Sequence, residues 1–127
     1  MAFYEYSTRI GFKDVGNSNS LTNLGFLNLL EDAAGFHSDS VGCGLNNVKE
    51  THLAWILLNW KLQIYKRPIY AETVHIKTWA RDTLKFYTFR DFEMYDTNNN
   101  LLAKASTRWA LVNVDKRSYS YWPNSYF

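Results

Sequence analysis

The loop at residues 13–20 carries side chains suited to acid–base chemistry, directly before a segment with helical periodicity. Asp14 is the only acid between Phe12 and that segment, and Asn17 and Asn19 follow it. A carboxylate can accept a proton from water, and neighbouring amides can orient that water. Asp and Asn before a helix also commonly form turns and caps. Both interpretations, catalytic and structural, stay open for these three side chains.

Cys43 is the only cysteine, which excludes an internal disulfide and a multi-cysteine metal site. As a nucleophile it would need a base such as His37 or His52. Neither histidine has the spacing of a metal-ligand pair or of a catalytic triad. We therefore expect Cys43 to be structural, in a turn, and both histidines to form hydrogen bonds at the surface or at an interface. The sequence predicts no metal and no cofactor.

Two other pairs of charged residues have simple structural interpretations. Glu31 and Asp32 fall in the middle of the helical segment, where a solvated helix face is expected and a pocket shared with a dimer partner is the alternative. Arg90 and Asp91 are adjacent in an aromatic strand and favour a paired, partly buried charge couple over a phosphate site.

Residues 22–41 are predicted to form the one long helix, because their apolar positions keep a helical spacing. Ser20 or Thr22 can cap its start, and Gly42 and Gly44 can end it. The apolar surface of this segment is broad. Such a helix is expected in a core, wrapped by a sheet, rather than on a solvated surface.

One predicted strand precedes the helix and four follow it, at residues 3–12, 53–65, 73–81, 86–95 and 101–115. In the second of these, the alternation places Ala54, Ile56 and Leu58 on one face with the apolar side chains that follow. Short turns join consecutive strands, so antiparallel pairing is expected. The sequence therefore predicts a single α+β domain over residues 1–127, with a helix wrapped by a curved antiparallel sheet of about five strands.

Charge and hydropathy exclude several classes of partner. The chain has 127 residues and a formal net charge of +2, too small for the basic field of a nucleic-acid-binding protein. No stretch approaches the roughly 20 apolar residues that cross a bilayer, and the N-terminus lacks a signal pattern. We expect no nucleic-acid or membrane partner and a cytoplasmic protein.

Several local strings, in this order, give the chain a family resemblance. They are LNLLEDAAG at residues 27–35, AWILL at 54–58, TW at 78–79, FRDFE at 89–93, ASTRW at 105–109 and VNVD at 112–115. In order and spacing the chain resembles the N-terminal half of acyl-acyl-carrier-protein thioesterases, which have the hot-dog fold. The resemblance covers nearly the whole chain.

The resemblance implies hydrolysis of a fatty acyl thioester carried by acyl-carrier protein or coenzyme A. In that scheme Asp14 is the candidate base, Asn17 or Asn19 orients water, and the helix start at Asn23 and Leu24 binds the substrate carbonyl through a backbone N–H. Trp55 and other tryptophans would build the core and the walls of the acyl channel. The chain departs from the related catalytic loop, since the positions of its acid, amide and imidazole are occupied here by Gly16, Ser18 and Ser20.

This departure leaves two hypotheses. The chain is a thioesterase or one half of such an enzyme, or it is a non-catalytic acyl-binding or assembly domain. The family typically carries two hot-dog domains, and this sequence ends after the first, at residues 122–127. Either the chain is a piece of a longer molecule or a second copy supplies the other half. A lone sheet with apolar strands exposes an edge, so we expect a homodimer or a larger homo-oligomer.

Overall fold

The computed structural model describes residues 3–84 and 86–119, and the end of the sequence at residues 122–127 lies outside that part. A strand and a long helix come first, and a short helix and five further strands follow. The elements are β1 (Phe3–Arg9), α1 (Asn23–Ser40), α2 (Val48–Thr51), β2 (Leu53–Ile64), β3 (Thr73–Leu84), β4 (Tyr87–Tyr95), β5 (Leu101–Asn113) and β6 (Ser118–Tyr119).

The strands form one antiparallel sheet in the order β1-β3-β4-β5-β2, and the two-residue strand β6 pairs with β5. Strand β2 is therefore an outer strand although it comes second in the chain. The core lies between α1 and one face of the sheet, where helix residues such as Phe26 and Leu30 pack with Ile76, Phe92 and Leu102. The helix-and-sheet architecture predicted from the sequence is confirmed, with β6 as an additional short strand.

The bounds of α1 follow from local chemistry at both ends. The Oγ1 of Thr22 accepts a hydrogen bond from the Gly25 N–H at 3.0 Å, which satisfies one of the unpaired amides of the first turn. At the other end Gly42 has a φ of +82°, a left-handed conformation that glycine adopts without a Cβ clash. Thr22 and Gly42 thus act as the sequence predicts.

A β-bulge changes the face that β2 presents. The register with β5 shifts between Leu57 and Asn59, so Leu58 is the extra residue. Trp60 and the apolar residues after it pack on the core, whereas Ile56 and Leu58 are 46% and 36% exposed. The single apolar face predicted through Ile56 and Leu58 is therefore wrong, because strict alternation cannot anticipate an inserted residue.

Two strands are shorter than predicted. Strand β1 ends at Arg9, and the chain then makes a helical turn at Phe12–Asp14. Strand β5 ends at Asn113, whose Oδ1 accepts hydrogen bonds from the N–H groups of Asp115 and Lys116, each at 3.0 Å. In both places a local turn takes up the backbone hydrogen bonds that a longer strand would have used.

Candidate functional site

A cavity of about 360 Å³ lies between the second half of α1 and the first half of β2. Most of its wall is apolar and aromatic, which is typical of sites for small organic ligands. Helix α1 contributes small residues that leave room for it, and the sheet contributes two tryptophans. Its lining includes Ala34, Gly35, Leu45, Val48, Leu53, Trp55, Leu57 and Trp109.

The cavity has an exposed end and a buried end. Leu45 is 85% exposed, and Glu31 and Gly35 are exposed as well, so these residues surround the mouth. At the other end, Thr88 and Arg90 of β4 are 2% and 3% exposed. Strand β4 lies two positions inward from β2, which at the usual spacing of strands is about 10 Å. Arg90 therefore belongs to the floor of the cavity.

This floor carries a buried polar cluster. The Nη1 of Arg90 donates to the Nδ1 of His37 at 3.0 Å and to the Oγ1 of Thr78 at 3.1 Å. The ring of Tyr4 stacks on the imidazole of His37 with centroids 5.4 Å apart. Burial and then the charge of Arg90 lower the pKa of His37 to about 4. His37 is therefore neutral at pH 7 and accepts from the guanidinium.

The surface or interface position predicted for His37 is wrong, since its side chain is 2% exposed. It lies on the buried face of α1, four residues after Ala33 and seven after Leu30. The helical spacing was visible in the sequence, but a histidine among apolar positions gave no sign of its partner. That partner, Arg90, is 53 residues away along the chain.

The predicted pairing of Arg90 with Asp91 does not occur, because adjacent strand residues point to opposite faces. Asp91 lies on the outer face of the sheet, where the Nε of Arg81 donates to its Oδ2 at 3.1 Å. Arg90 points inward to the cavity. His52, in contrast, lies at the surface as expected, with its Nδ1 2.7 Å from the Oδ2 of Asp115.

Cys43 is buried beside the same cluster. Its carbonyl accepts from the Nε1 of Trp55 at 3.0 Å, and burial raises the pKa of its thiol to about 11. A protonated, buried thiol is a poor nucleophile. The structural interpretation of Cys43 agrees with this environment.

The structure places Asp14 against the start of α1. Its carbonyl accepts from the N–H and the Oγ1 of Thr22, at 3.0 and 3.2 Å, and its side chain is buried. The carboxylate faces Asn28, whose Nδ2 lies 3.5 Å from Oδ1. The close approach requires a glycine at position 25, because an added Cβ there would lie 2.6 Å from the Asp14 carbonyl oxygen.

The other predicted site residues lie further out. Asn17 and Asn19 are exposed in the turn before the helix, and Asn19 has a positive φ of 60°. Asn23 begins α1, and its Oδ1 accepts from the Nη2 of Arg67 at 2.7 Å. Leu24 is 65% exposed. The fold thus brings Asp14 to the helix start, whereas the two loop asparagines lie in the exposed turn. The catalytic roles of Asp14, Asn17 and Asn19 and the binding roles of Asn23 and Leu24 remain predictions.

Glu31 links Asp14 to the cavity. It lines the mouth of the apolar cavity and also a polar surface depression that Asp14 and Asn28 line. Its side chain is exposed, as predicted, yet partial burial and then the charge of Asp32 raise the pKa of its carboxyl group. A pocket at a dimer interface, the alternative for these mid-helix acids, stays a prediction.

Within residues 3–84 and 86–119 no helix is long and apolar enough to cross a membrane. No group of three or more His, Cys, Asp or Glu side chains in that part of the chain is arranged to hold a metal ion.

The long helix on an antiparallel sheet, with an apolar cavity between them, defines a hot-dog domain. An acyl-ACP thioesterase from Bacteroides thetaiotaomicron superposes with a TM-score of 0.85 at 24% identity, over 93% of this chain and 49% of that one. A 1,4-dihydroxy-2-naphthoyl-CoA thioesterase from Synechocystis superposes with a TM-score of 0.85 at 15% identity, over 98% of this chain and 92% of the other. At these identities the likeness establishes the fold.

Sequence comparison establishes the family. The chain belongs to the acyl-ACP thioesterase N-terminal domain family, whose model matches residues 2–126. An oleoyl-acyl carrier protein thioesterase from Coriandrum sativum is 27% identical over 111 residues, which are 82% of this chain and 30% of that protein. The chain thus spans about a third of the length of the curated relatives it matches.

Proposed function

We propose that this chain holds the acyl group of an acyl thioester, as the acyl-binding domain of an enzyme that hydrolyses acyl-ACP or acyl-CoA. The observation that carries the proposal is the cavity between α1 and β2, with its wall of Trp55, Leu57 and Trp109. Family membership supports the same chemistry. The carrier protein or coenzyme A would stay outside, because only the acyl chain fits an apolar cavity of this size.

The driving force for such binding is removal of the acyl chain from water. Each buried methylene contributes about 0.8 kcal/mol, so several methylenes give useful affinity without any specific polar contact. The exposed mouth at Glu31 and Leu45 would then receive the thioester end of the ligand. In this orientation the carbonyl lies near the polar depression that Asp14 and Glu31 share.

A second candidate function is hydrolysis by this chain itself. The buried carboxyl group of Asp14 beside the helix start and the raised pKa of Glu31 favour it, since either group could activate water near the mouth. Glycine or serine at positions 16, 18 and 20 argues against it, because these residues supply no acid or imidazole in the loop. The acyl-binding role does not depend on the outcome.

We also propose that a second hot-dog domain, from another copy of this chain or from a longer molecule, pairs with the edge of β2. All 12 residues of β2 are exposed or only half-buried, although most of them are apolar. Ile56 and Leu58 are its most exposed large apolar side chains, at 46% and 36%. A long apolar edge strand exposes unpaired backbone N–H and C=O groups as well as apolar side chains, and pairing with another strand covers them. The homo-oligomer and the cytoplasmic location stay predictions.

The test uses a ligand that cannot be hydrolysed. S-octyl-pantetheine is a thioether with the arm common to coenzyme A and acyl-carrier protein. Its binding to the purified chain is followed by tryptophan fluorescence, because Trp55 and Trp109 line the cavity. The chain is then assayed with octanoyl-pantetheine thioester. Saturable binding without turnover above buffer identifies an acyl-binding domain, and turnover favours the second candidate. No saturable binding up to the solubility limit would contradict the proposal.

A further inference from the structure

Residues 44–51, between α1 and β2, form one side of the cavity mouth without being packed into the core. Gly44, Leu45 and Val48 of this segment line the cavity. None of residues 45–51 is buried, and Leu45 is 85% exposed. An apolar side chain that borders an apolar cavity and stays in water gains free energy when a ligand offers it a surface to cover. Leu45 is therefore placed to pack on a ligand.

The two ends of this segment are anchored to the sheet. Just before it, the Nε1 of Trp55 in β2 donates a hydrogen bond to the carbonyl of Cys43 at 3.0 Å. Just after it, the N–H of Val114 donates to the carbonyl of His52 at 2.9 Å. Any movement of the segment thus leaves both ends in place and is confined to the residues between them.

Between its anchors the segment is a small helical unit with weak attachment to α1. It consists of a helical turn at Leu45–Asn47 and of α2, which is closed by the hydrogen bond from the N–H of His52 to the carbonyl of Val48 at 2.8 Å. Its contact with α1 includes a hydrogen bond from the N–H of Asn46 to the Oδ1 of Asp39, which is long at 3.4 Å. Units with few buried contacts open before the rest of a domain unfolds.

We infer that residues 44–51 are a lid that closes on the acyl chain, with Leu45 and Val48 packing against its methylenes. This inference rests on the proposed acyl-binding function and assigns how that site closes. Closure removes water from the mouth, where Glu31 lies and the thioester end of the ligand is placed. Release of the ligand then requires the lid to open, so the lid controls the dissociation rate.

The first experiment measures amide hydrogen exchange of the purified chain with and without saturating S-octyl-pantetheine. The amides of residues 45–51 should exchange at least about 10-fold more slowly with the ligand, because closure suppresses local opening. The turn at residues 96–100 lies outside the cavity lining and should exchange at the same rate in both samples. Protection of the lid that grows with chain concentration in the absence of ligand would assign Leu45 to a contact between copies and overturn the inference.

The second experiment removes the apolar contact of the lid. Leu45→Ser should raise the dissociation rate of S-octyl-pantetheine about 10-fold, with a smaller change in the association rate. The matched control is Leu84→Ser, at a leucine that is 60% exposed at the end of β3 and outside the cavity lining. It should release the ligand as the unmodified chain does.

Both substitutions replace exposed side chains, and the exchange experiment needs no variant. Saturable binding with unchanged exchange of the lid amides, or equal dissociation rates for Leu45→Ser and Leu84→Ser, would overturn the inference. Absence of saturable binding to the unmodified chain would instead overturn the proposed function.

Discussion

The Nη1 of Arg90 lies 3.0 Å from the Nδ1 of His37, and both side chains are almost completely buried, at 3% and 2% exposure. A permanent cation and a titratable imidazole thus share one hydrogen bond in the interior. Protonation of His37 would remove the acceptor and place two positive charges side by side. The folded state therefore strongly favours the neutral imidazole.

Folding stability should consequently fall as the pH drops below about 6.5. The pKa of His37 is about 4 in the folded state and 6.5 as its ordinary value, so the unfolded chain takes up a proton first. By proton linkage this costs about 2 kcal/mol between pH 7 and pH 5. Urea unfolding of wild type and His37→Gln over that range measures the difference.

The matched control is His52→Gln at the exposed histidine, which retains His37 and should therefore still lose the stability that His37 contributes as the pH drops below about 6.5. Carboxyl groups that titrate in the same range affect all three proteins and cancel in the comparison. A pH dependence of His37→Gln equal to that of wild type would show that His37 does not carry the effect.

Two glycines of α1 should respond oppositely to alanine. At Gly25 an added Cβ would lie 2.5 Å from the Cδ1 of Leu21 and 2.6 Å from the Asp14 carbonyl oxygen, so Gly25→Ala should destabilise by about 1–3 kcal/mol. At Gly35 nothing lies within 4 Å of such an atom, so Gly35→Ala should stabilise by about 0.5–1 kcal/mol. Thermal melts of both variants test this pair, and equal shifts would refute the packing of Asp14 on the helix.

Adjacent leucines on β2 should differ in ligand binding. Leu57 lines the cavity, whereas Leu58 is the extra residue of the bulge. Leu57→Ala removes apolar contact worth about 1–2 kcal/mol, so the Kd of S-octyl-pantetheine should rise about 5- to 30-fold. Leu58→Ala should leave it unchanged. Equal effects of the two substitutions in fluorescence titrations would place the ligand elsewhere.

If the chain hydrolyses octanoyl-pantetheine, Asp14→Asn should lower kcat by about 10²- to 10⁴-fold, the usual loss when a positioned base is removed. The amide keeps the size of the side chain and its reach toward Asn28. Steady-state turnover and the melting temperature are measured together. An unchanged kcat in this variant would show that Asp14 is not the catalytic base. If the melting temperature also fell, Asp14 would instead stabilise the turn before the helix.

The edge of β2 should control association. Ile56→Lys places a charge on an exposed apolar position of that strand, which should disfavour pairing with a second strand. We expect wild type to form a dimer or larger assembly and the variant to shift toward the monomer. Light scattering over a range of concentrations checks both. A wild-type monomer at every concentration would contradict the homo-oligomer.

The fold could be predicted because the signals that specify it are local. The helical spacing of residues 22–41, the cap at Thr22 and the glycine at position 42 place α1 within one residue of its ends. Alternating patterns and polar turns likewise place β2 to β5. Binary pattern and turn chemistry act over a few residues, so a single sequence carries them.

The candidate site could be predicted only in part. The position of Asp14 beside the helix start could be predicted, because the two are only a few residues apart in the chain. Its catalytic role stays a prediction. The cavity, in contrast, depends on which face of β2 turns inward, and the bulge at Leu58 reverses that face. The contact of Arg90 with His37 joins two elements far apart in the chain, and no local pattern encodes it.

The most direct test of the central claim is the position of the octyl chain in the complex with S-octyl-pantetheine. Intermolecular nuclear Overhauser effects are recorded between the octyl protons and the indole protons of the chain. Because Trp55 and Trp109 line the cavity and Trp79 lies outside that lining, the octyl protons should contact the first two and not the third. Saturable binding with contacts to Trp79 alone, or no binding at all, would contradict an acyl-binding cavity between α1 and β2.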